Sequence, residues 1–157
     1  STLGAGCTDT TNADDPGLSI VDCPTLDGVD CTNASFGASL ALGDVDADGR
    51  ADLMVGAPRM TVDGKPAAGG VFVVAGSTSG IDATRSAFMQ ISNPSGDDRL
   101  GASLAALRTH YGIPGVTERY EVAAGAPGAN AAFVFLCSGL GDDVSTTGSR
   151  CLELAAE

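Results

Sequence analysis

Short segments of this chain recur in the same order in its two halves, and this internal repeat limits the possible folds more than any other feature. Residues 36–41 (FGASLA) return as residues 100–105 (LGASLA), residues 55–58 (VGAP) as residues 124–127 (AGAP), and residues 71–74 (VFVV) as residues 132–135 (AFVF). Three matches in one order indicate a duplicated structural unit. Each unit has room for about four short strands.

The composition favours strands over helices. Glycine accounts for 22 of 157 residues, and it interrupts most sequence windows at intervals too short for a helix. We therefore predict an all-β fold of the β-propeller type, built from about two four-stranded antiparallel blades that form a partial propeller. The predicted strands lie near residues 39–42, 53–57, 70–75 and 87–91 in the first unit, and near 103–108, 120–125, 132–136 and 151–154 in the second.

An acidic loop at residues 44–52 separates the first two predicted strands. Carboxylates occupy positions 1, 3, 5 and 9 of this loop, and Gly49 at position 6 allows a sharp turn. Without a cation, four negative charges this close would repel one another, so the pattern predicts a calcium site. The predicted ligands are the side chains of four aspartates and one backbone carbonyl: Asp44, Asp46, Asp48, Asp52 and the carbonyl of Arg50.

This loop resembles the start of an EF-hand but differs at its end. An EF-hand carries a bidentate glutamate at position 12, where this chain has Val55. The apolar residues 53–55 that follow are typical of a buried strand and not of an exiting helix. The alternative interpretation of the loop is a solvated acidic turn, since turns commonly contain Asp and Gly.

Together these motifs resemble the FG-GAP repeat, the blade unit of the integrin α-subunit β-propeller and of related bacterial surface and secreted proteins. The resemblance rests on Phe36-Gly37, the acidic loop and residues 56–58 (GAP), and it spans residues 34–154. It implies a first blade at 34–95 with a calcium loop and a second at 96–157, where residues 109–117 replace the acidic loop. Residues 1–33 form a separate cysteine-containing segment, in which residues 18–21 are a candidate outer strand of a preceding blade.

The net charge and the cysteine content limit the possible partners and the cellular location of the protein. The formal net charge is −12, which argues against nucleic acid partners and anionic membranes, and no run is apolar enough for insertion into a membrane. Five cysteines without metal-site spacing favour an extracellular or cell-surface location. Cys23–Cys31 and Cys137–Cys151 are the candidate bridges, with Cys7 left over, although two bridges among five cysteines allow fifteen pairings.

The sequence predicts no enzyme. The single histidine, His110, lies in a loop, and no serine sits in a G-x-S-x-G motif. The resemblance instead implies an extracellular adhesion or protein-interaction module in which calcium is structural. The alternative is an accessory propeller domain of a secreted hydrolase. Because two blades leave outer sheet faces open, we expect a protein ligand or self-association through these faces, unless the N-terminal segment covers one of them.

Overall fold

The computed structural model describes residues 21–23, 29–109, 119–137 and 151–154. Within these residues the protein contains strands and turns and no helix, so nothing in them forms a helical membrane span. The strands are β1 Val29–Asp30, β2 Ser39–Gly43, β3 Asp52–Ala57, β4 Thr61–Val62, β5 Gly70–Ser77, β6 Gly80–Met89, β7 Ser103–Thr109, β8 Arg119–Ala126, β9 Ala131–Cys137 and β10 Cys151–Leu154.

Two four-stranded antiparallel sheets form the body of the protein, as the repeat predicts. The first sheet, here called blade 1, has the order β2-β3-β5-β6, and the second, blade 2, has the order β7-β8-β9-β10. In both blades each strand pairs with the next main strand along the chain. This meander is consistent with two blades of a propeller, and it confirms the all-β prediction.

The last strand of blade 1 differs from its prediction. It was predicted at residues 87–91 but runs from Gly80 to Met89, after a two-residue turn that joins Ser77 to Gly80. Its first half contains only one large apolar residue, Ile81, and is largely exposed, so its apolar signal is much weaker than that of residues 87–91. A register shift opposite Val74 and Ala75 further interrupts the pairing of β5 with β6.

The inter-blade core fills the space between the two sheets. Alternate residues of β3 and β5 in blade 1 point towards blade 2, where Val122, Ala124 and Phe135 meet them. Residues 70–76 of β5 are buried on both faces, as its uniformly apolar sequence predicts. The fully buried members of this core include Val45, Met54, Val71, Val73, Ala75, Leu100, Val122 and Ala126.

A second cluster, the outer-face core, lies on the side of blade 1 that points away from blade 2. Phe72 is fully buried there, with its ring centroid 5.5 Å from that of Phe36 and 4.9 Å from that of Phe88. The N-terminal segment covers part of this cluster through the Cys23–Cys31 disulfide, which confirms one predicted bridge. Strand β1 also pairs with β4, an excursion between β3 and β5. Residues 18–20 of the predicted outer strand lie outside the described residues.

Close backbone contacts join the blades at the glycine of the first GAP segment. A Cβ atom on Gly56 would lie only 2.2 Å from the carbonyl oxygen of Gly101 in blade 2. The Ser39 hydroxyl donates a hydrogen bond of 2.7 Å to the same carbonyl. The small residues of this segment therefore allow the two backbones to meet directly.

Part of the outer face of blade 1 is uncovered. On its edge strand β2, Leu40 is 61% exposed and Leu42 is 64% exposed. Both lie on the outer face, because their strand partners Val55 and Leu53 belong to the outer-face core. On blade 2, Leu107 is 40% exposed on the face that points away from blade 1.

Candidate metal centre

The acidic loop connects β2 to β3 as the tip of an antiparallel hairpin. Strand β2 ends at Gly43 and β3 begins at Asp52, with these two residues paired across the ladder. Ala47 and Gly49 adopt left-handed backbone conformations, with φ of 64° and 88°. Glycine adopts a left-handed conformation at almost no energetic cost, because it has no Cβ atom. Gly49 therefore suits the sharp turn in this loop. Strands flank the loop on both sides, as the apolar residues 53–55 predict.

Three of the predicted ligands converge. One carboxylate oxygen from each of Asp44, Asp46 and Asp48 lies within 4.8 Å of the others. Backbone amides of the loop hold these carboxylates: the Asp48 N–H donates to Asp44 Oδ1 at 3.0 Å and to Asp46 Oδ1 at 3.1 Å, and the Gly49 N–H donates to Asp44 Oδ2 at 2.9 Å. The loop itself thus orients the acidic group.

Asp52 has a different position from the other three aspartates. Its side chain is fully buried, and its two oxygens accept hydrogen bonds of 2.9 Å from the backbone N–H groups of Val45 and Gly76. Burial raises the pKa of Asp52 to about 6, and the charge of Asp46 adds to that rise, while backbone hydrogen bonds from Gly76, Val45 and Asp46 oppose it. Asp52 therefore ties the loop to β5, and its role as a metal ligand stays a prediction.

Arg50 contacts the acidic group through its side chain. Its Nη1 lies 3.1 Å from Asp48 Oδ2, and its backbone N–H donates to Asp48 Oδ1 at 2.8 Å. This arginine is half exposed, so the ion pair contributes little to stability. The predicted ligation by the Arg50 carbonyl oxygen remains a prediction.

Arg85 is a residue of the site that the sequence did not identify. It comes from β6 and places its Nη2 3.5 Å from Asp46 Oδ2. Nothing in the sequence of β6 indicates that this strand passes beside the loop. A cationic side chain from a distant part of the chain therefore faces one of the three converging carboxylates.

The loop also contacts blade 2. The carbonyl oxygen of Asp44 accepts a hydrogen bond of 3.0 Å from the N–H of Tyr120, at the start of β8. The Val45 side chain is buried in the inter-blade core. A Cβ on Gly43 would approach the Ala106 methyl group to 2.8 Å. The shape of the loop is thus coupled to the packing of the two blades.

The donor chemistry of this site fits calcium. Hard carboxylate oxygens are the ligands that Ca²⁺ prefers, and neighbouring backbone carbonyls and water can complete its six to eight ligands. No sulfur or imidazole ligand joins the three aspartates in the group that the described residues form. Carboxylate oxygens alone bind soft transition metals poorly. When bound, calcium would neutralise the mutual repulsion of the carboxylates.

Other sequence-based candidates are less well defined. Cys137 and Cys151 are direct partners in the β9–β10 ladder, so their backbones face each other. A bridge between them remains a prediction. His110 and Cys7, the cysteine that the two candidate bridges leave over, lie outside the described residues.

Comparison with known proteins identifies the repeat that contains this loop. Residues 36–74 match the FG-GAP repeat family, and this range includes β2, the acidic loop, β3, β4 and residues 70–74 of β5. No curated protein matches the chain. The matched range agrees with the resemblance based on Phe36-Gly37, the acidic loop and the GAP segment. Residues 36–74 therefore carry an FG-GAP repeat, and the antiparallel all-β sheets of the described residues are consistent with partial propeller blades.

Proposed function

We propose that this protein is a calcium-stabilised, extracellular protein-interaction module of the adhesion type and has no enzymatic activity. The convergence of Asp44, Asp46 and Asp48 at the tip of a hairpin in an FG-GAP repeat carries the proposal. The disulfide between Cys23 and Cys31 supports an oxidising, extracellular setting. Extracellular calcium is in the millimolar range in which modular sites of this kind bind.

The role of the ion in this proposal is structural. Asp44, Asp46 and Asp48 would hold it, with Asp52 and the Arg50 carbonyl as further candidate ligands. Because Asp44 contacts Tyr120 and Val45 packs in the inter-blade core, fixing the loop also restrains the contact between the blades. The acidic loop then braces the fold, and partner contacts fall on other surfaces.

The proposed partner surface is the uncovered outer face of blade 1. Leu40 and Leu42 expose apolar side chains on a strand at the edge of its sheet among the described residues, and edge strands of this kind can pair with another chain. Blade 2 exposes Leu107 on its own outer face. A second copy of the chain would place the blade 2 outer face against Leu40 and Leu42, in the way that blade 2 already meets blade 1.

A calcium titration of the unfolding transition tests the proposed role of the ion. At 1 mM calcium, a site with a dissociation constant of roughly 0.1 to 1 mM adds about 0.4 to 1.4 kcal/mol to the free energy of unfolding. We expect the melting temperature to rise with calcium and to fall with chelator. Magnesium should have a weaker effect, because it requires a tighter octahedral site.

Asp46→Ala should abolish the response of the melting temperature to calcium, because it removes one of the three converging carboxylates. Asp97→Asn is the matched control, since Asp97 is an exposed loop aspartate that also pairs with an arginine, at 3.6 Å from Arg99. The control should retain the full response. If Asp46→Ala responds to calcium like the unmodified protein, the assignment of the ligands is wrong.

A further inference from the structure

Arg85 occupies an unusual place for a cation in a protein that binds a metal ion. Its guanidinium lies 3.5 Å from Asp46 Oδ2, at the centre of the acidic loop. The Asp46 side chain is only 4% exposed, and that of Arg85 is 27% exposed. This pair is therefore much better shielded from water than the neighbouring pair of Arg50 and Asp48, whose side chains are 44% and 23% exposed. Shielding strengthens the attraction between opposite charges.

Both oxygens of Asp46 already have partners. Oδ1 accepts a hydrogen bond from the Asp48 N–H at 3.1 Å, and Oδ2 faces the guanidinium of Arg85. A divalent ion that binds to Asp46 must displace the guanidinium or bind close to its positive charge. Either event lowers the affinity of the loop for the ion. Without the ion, the same guanidinium offsets the repulsion among the three carboxylates.

We propose that Arg85 is a built-in competitor of calcium that sets the affinity of the loop and preserves its shape when calcium is absent. This inference rests on the calcium site proposed above. It adds a residue from a different strand, outside the acidic sequence motif, as the determinant of affinity. Asp82 on the same strand also interacts electrostatically with Arg85, so the guanidinium experiences a second negative charge besides that of Asp46.

The size of the competition follows from the charges. Even with the dielectric constant of water, which gives the smallest effect, a single positive charge about 6 Å from a divalent ion would change the dissociation constant about tenfold. Arg85→Gln removes the charge and keeps a side chain of similar polarity. We therefore expect this variant to bind calcium about tenfold more tightly and to have a lower melting temperature in chelator.

Two matched variants separate charge from packing. Arg85→Lys retains the positive charge, so its calcium affinity should stay within about threefold of that of the unmodified protein. Arg99→Gln removes an arginine that pairs with Asp97 at 3.6 Å outside the acidic loop. This control should leave both the calcium affinity and the melting temperature in chelator unchanged.

The test is isothermal titration of calcium into the full chain and the three variants, together with melting in chelator. Tighter binding by Arg85→Gln with unchanged binding by Arg99→Gln supports the inference; equal or weaker binding by Arg85→Gln overturns it. If the unmodified protein itself binds no calcium, the proposed function fails instead. Should Arg85→Gln not fold, the ¹⁵Nε resonance of Arg85 in the unmodified protein decides: calcium should shift it, and an unshifted signal at saturation overturns the inference.

Discussion

Blades 1 and 2 share a strand order, yet equivalent leucines have opposite environments. The repeat aligns Leu40 on β2 with Leu104 on β7. Leu104 packs against the inter-blade core, because the inward face of blade 1 lies beside it. Leu40 is 61% exposed, because none of the sheets that the structure describes covers that part of blade 1. The same sequence signal therefore specifies a buried position only where a neighbouring blade is present.

The two blades also differ in how the matching phenylalanines are covered. Phe72 of blade 1 is fully buried beneath other phenylalanines and the N-terminal segment, although it points away from blade 2. Its counterpart Phe133 points towards blade 1 and is only partly buried. Blade 1 thus protects the middle of its outer face with its own chain and leaves the β2 edge, with Leu40 and Leu42, open. This division separates the buried outer-face core from the proposed partner surface.

The largest expected difference between the blades concerns these phenylalanines. Phe72→Ala should lower the free energy of unfolding by about 4 kcal/mol, because it leaves a cavity in a fully buried cluster. Phe133→Ala should cost about half as much, since Phe133 is only partly buried. Chemical denaturation of both variants measures the two losses. Equal losses would mean that Phe72 in the outer-face core contributes no more to stability than the partly buried Phe133 between the blades.

The second-largest expected effect on stability distinguishes Gly56 from Gly125, the glycines of the two GAP segments. Gly56→Ala should cost about 3 kcal/mol, because the new methyl group meets the backbone carbonyl of Gly101, which cannot rotate away. At Gly125, the nearest atom to an added Cβ is the Ser103 hydroxyl at 2.4 Å. That side chain can rotate, so Gly125→Ala should cost about 1 kcal/mol. Comparison of the two denaturation midpoints tests the pair, and a larger loss at Gly125 would contradict the direct backbone contact between the blades.

The smallest effect on stability is expected at the exposed leucines. Replacing Leu40 and Leu42 with lysine should change the free energy of unfolding of the single chain by less than about 1 kcal/mol, because both side chains already face solvent. The same double change should abolish self-association, which analytical ultracentrifugation measures over a range of concentrations. The control is the replacement of the exposed Thr78 and Ala83 with lysine, because these residues lie at the other edge of the same sheet, in β6 and the turn before it. A protein that sediments as a monomer at every concentration before any substitution would refute self-association through this face.

Much of the fold was predictable because its signals are local. The runs around Leu53, Phe72 and Phe133 are apolar and short, and turns rich in glycine separate them, so seven of the eight predicted blade strands overlap closely with those observed. The prediction for strand β6 was wrong because its first half is largely exposed and contains only one large apolar residue, Ile81. The pairing of β1 with β4 was not predicted either, since two-residue strands leave no periodic pattern.

The candidate site was only partly predictable for a different reason. The spacing of Asp44, Asp46 and Asp48 shows that carboxylates can converge, and in the structure they do. The spacing does not show which carboxylate oxygens already accept hydrogen bonds from backbone amides. At Asp52 these amides belong to Val45 and to Gly76, which is distant in sequence. The approach of Arg85 likewise depends on how β6 folds back along β5.

A crystal structure determined in the presence of calcium tests the central claim most directly. The account predicts one ion at the tip of the β2–β3 hairpin, bound by oxygens of Asp44, Asp46 and Asp48 at about 2.3 to 2.6 Å. Anomalous scattering identifies the ion independently of its coordination. An acidic loop without an ion at saturating calcium, or a calcium ion bound only elsewhere in the molecule, would contradict the account.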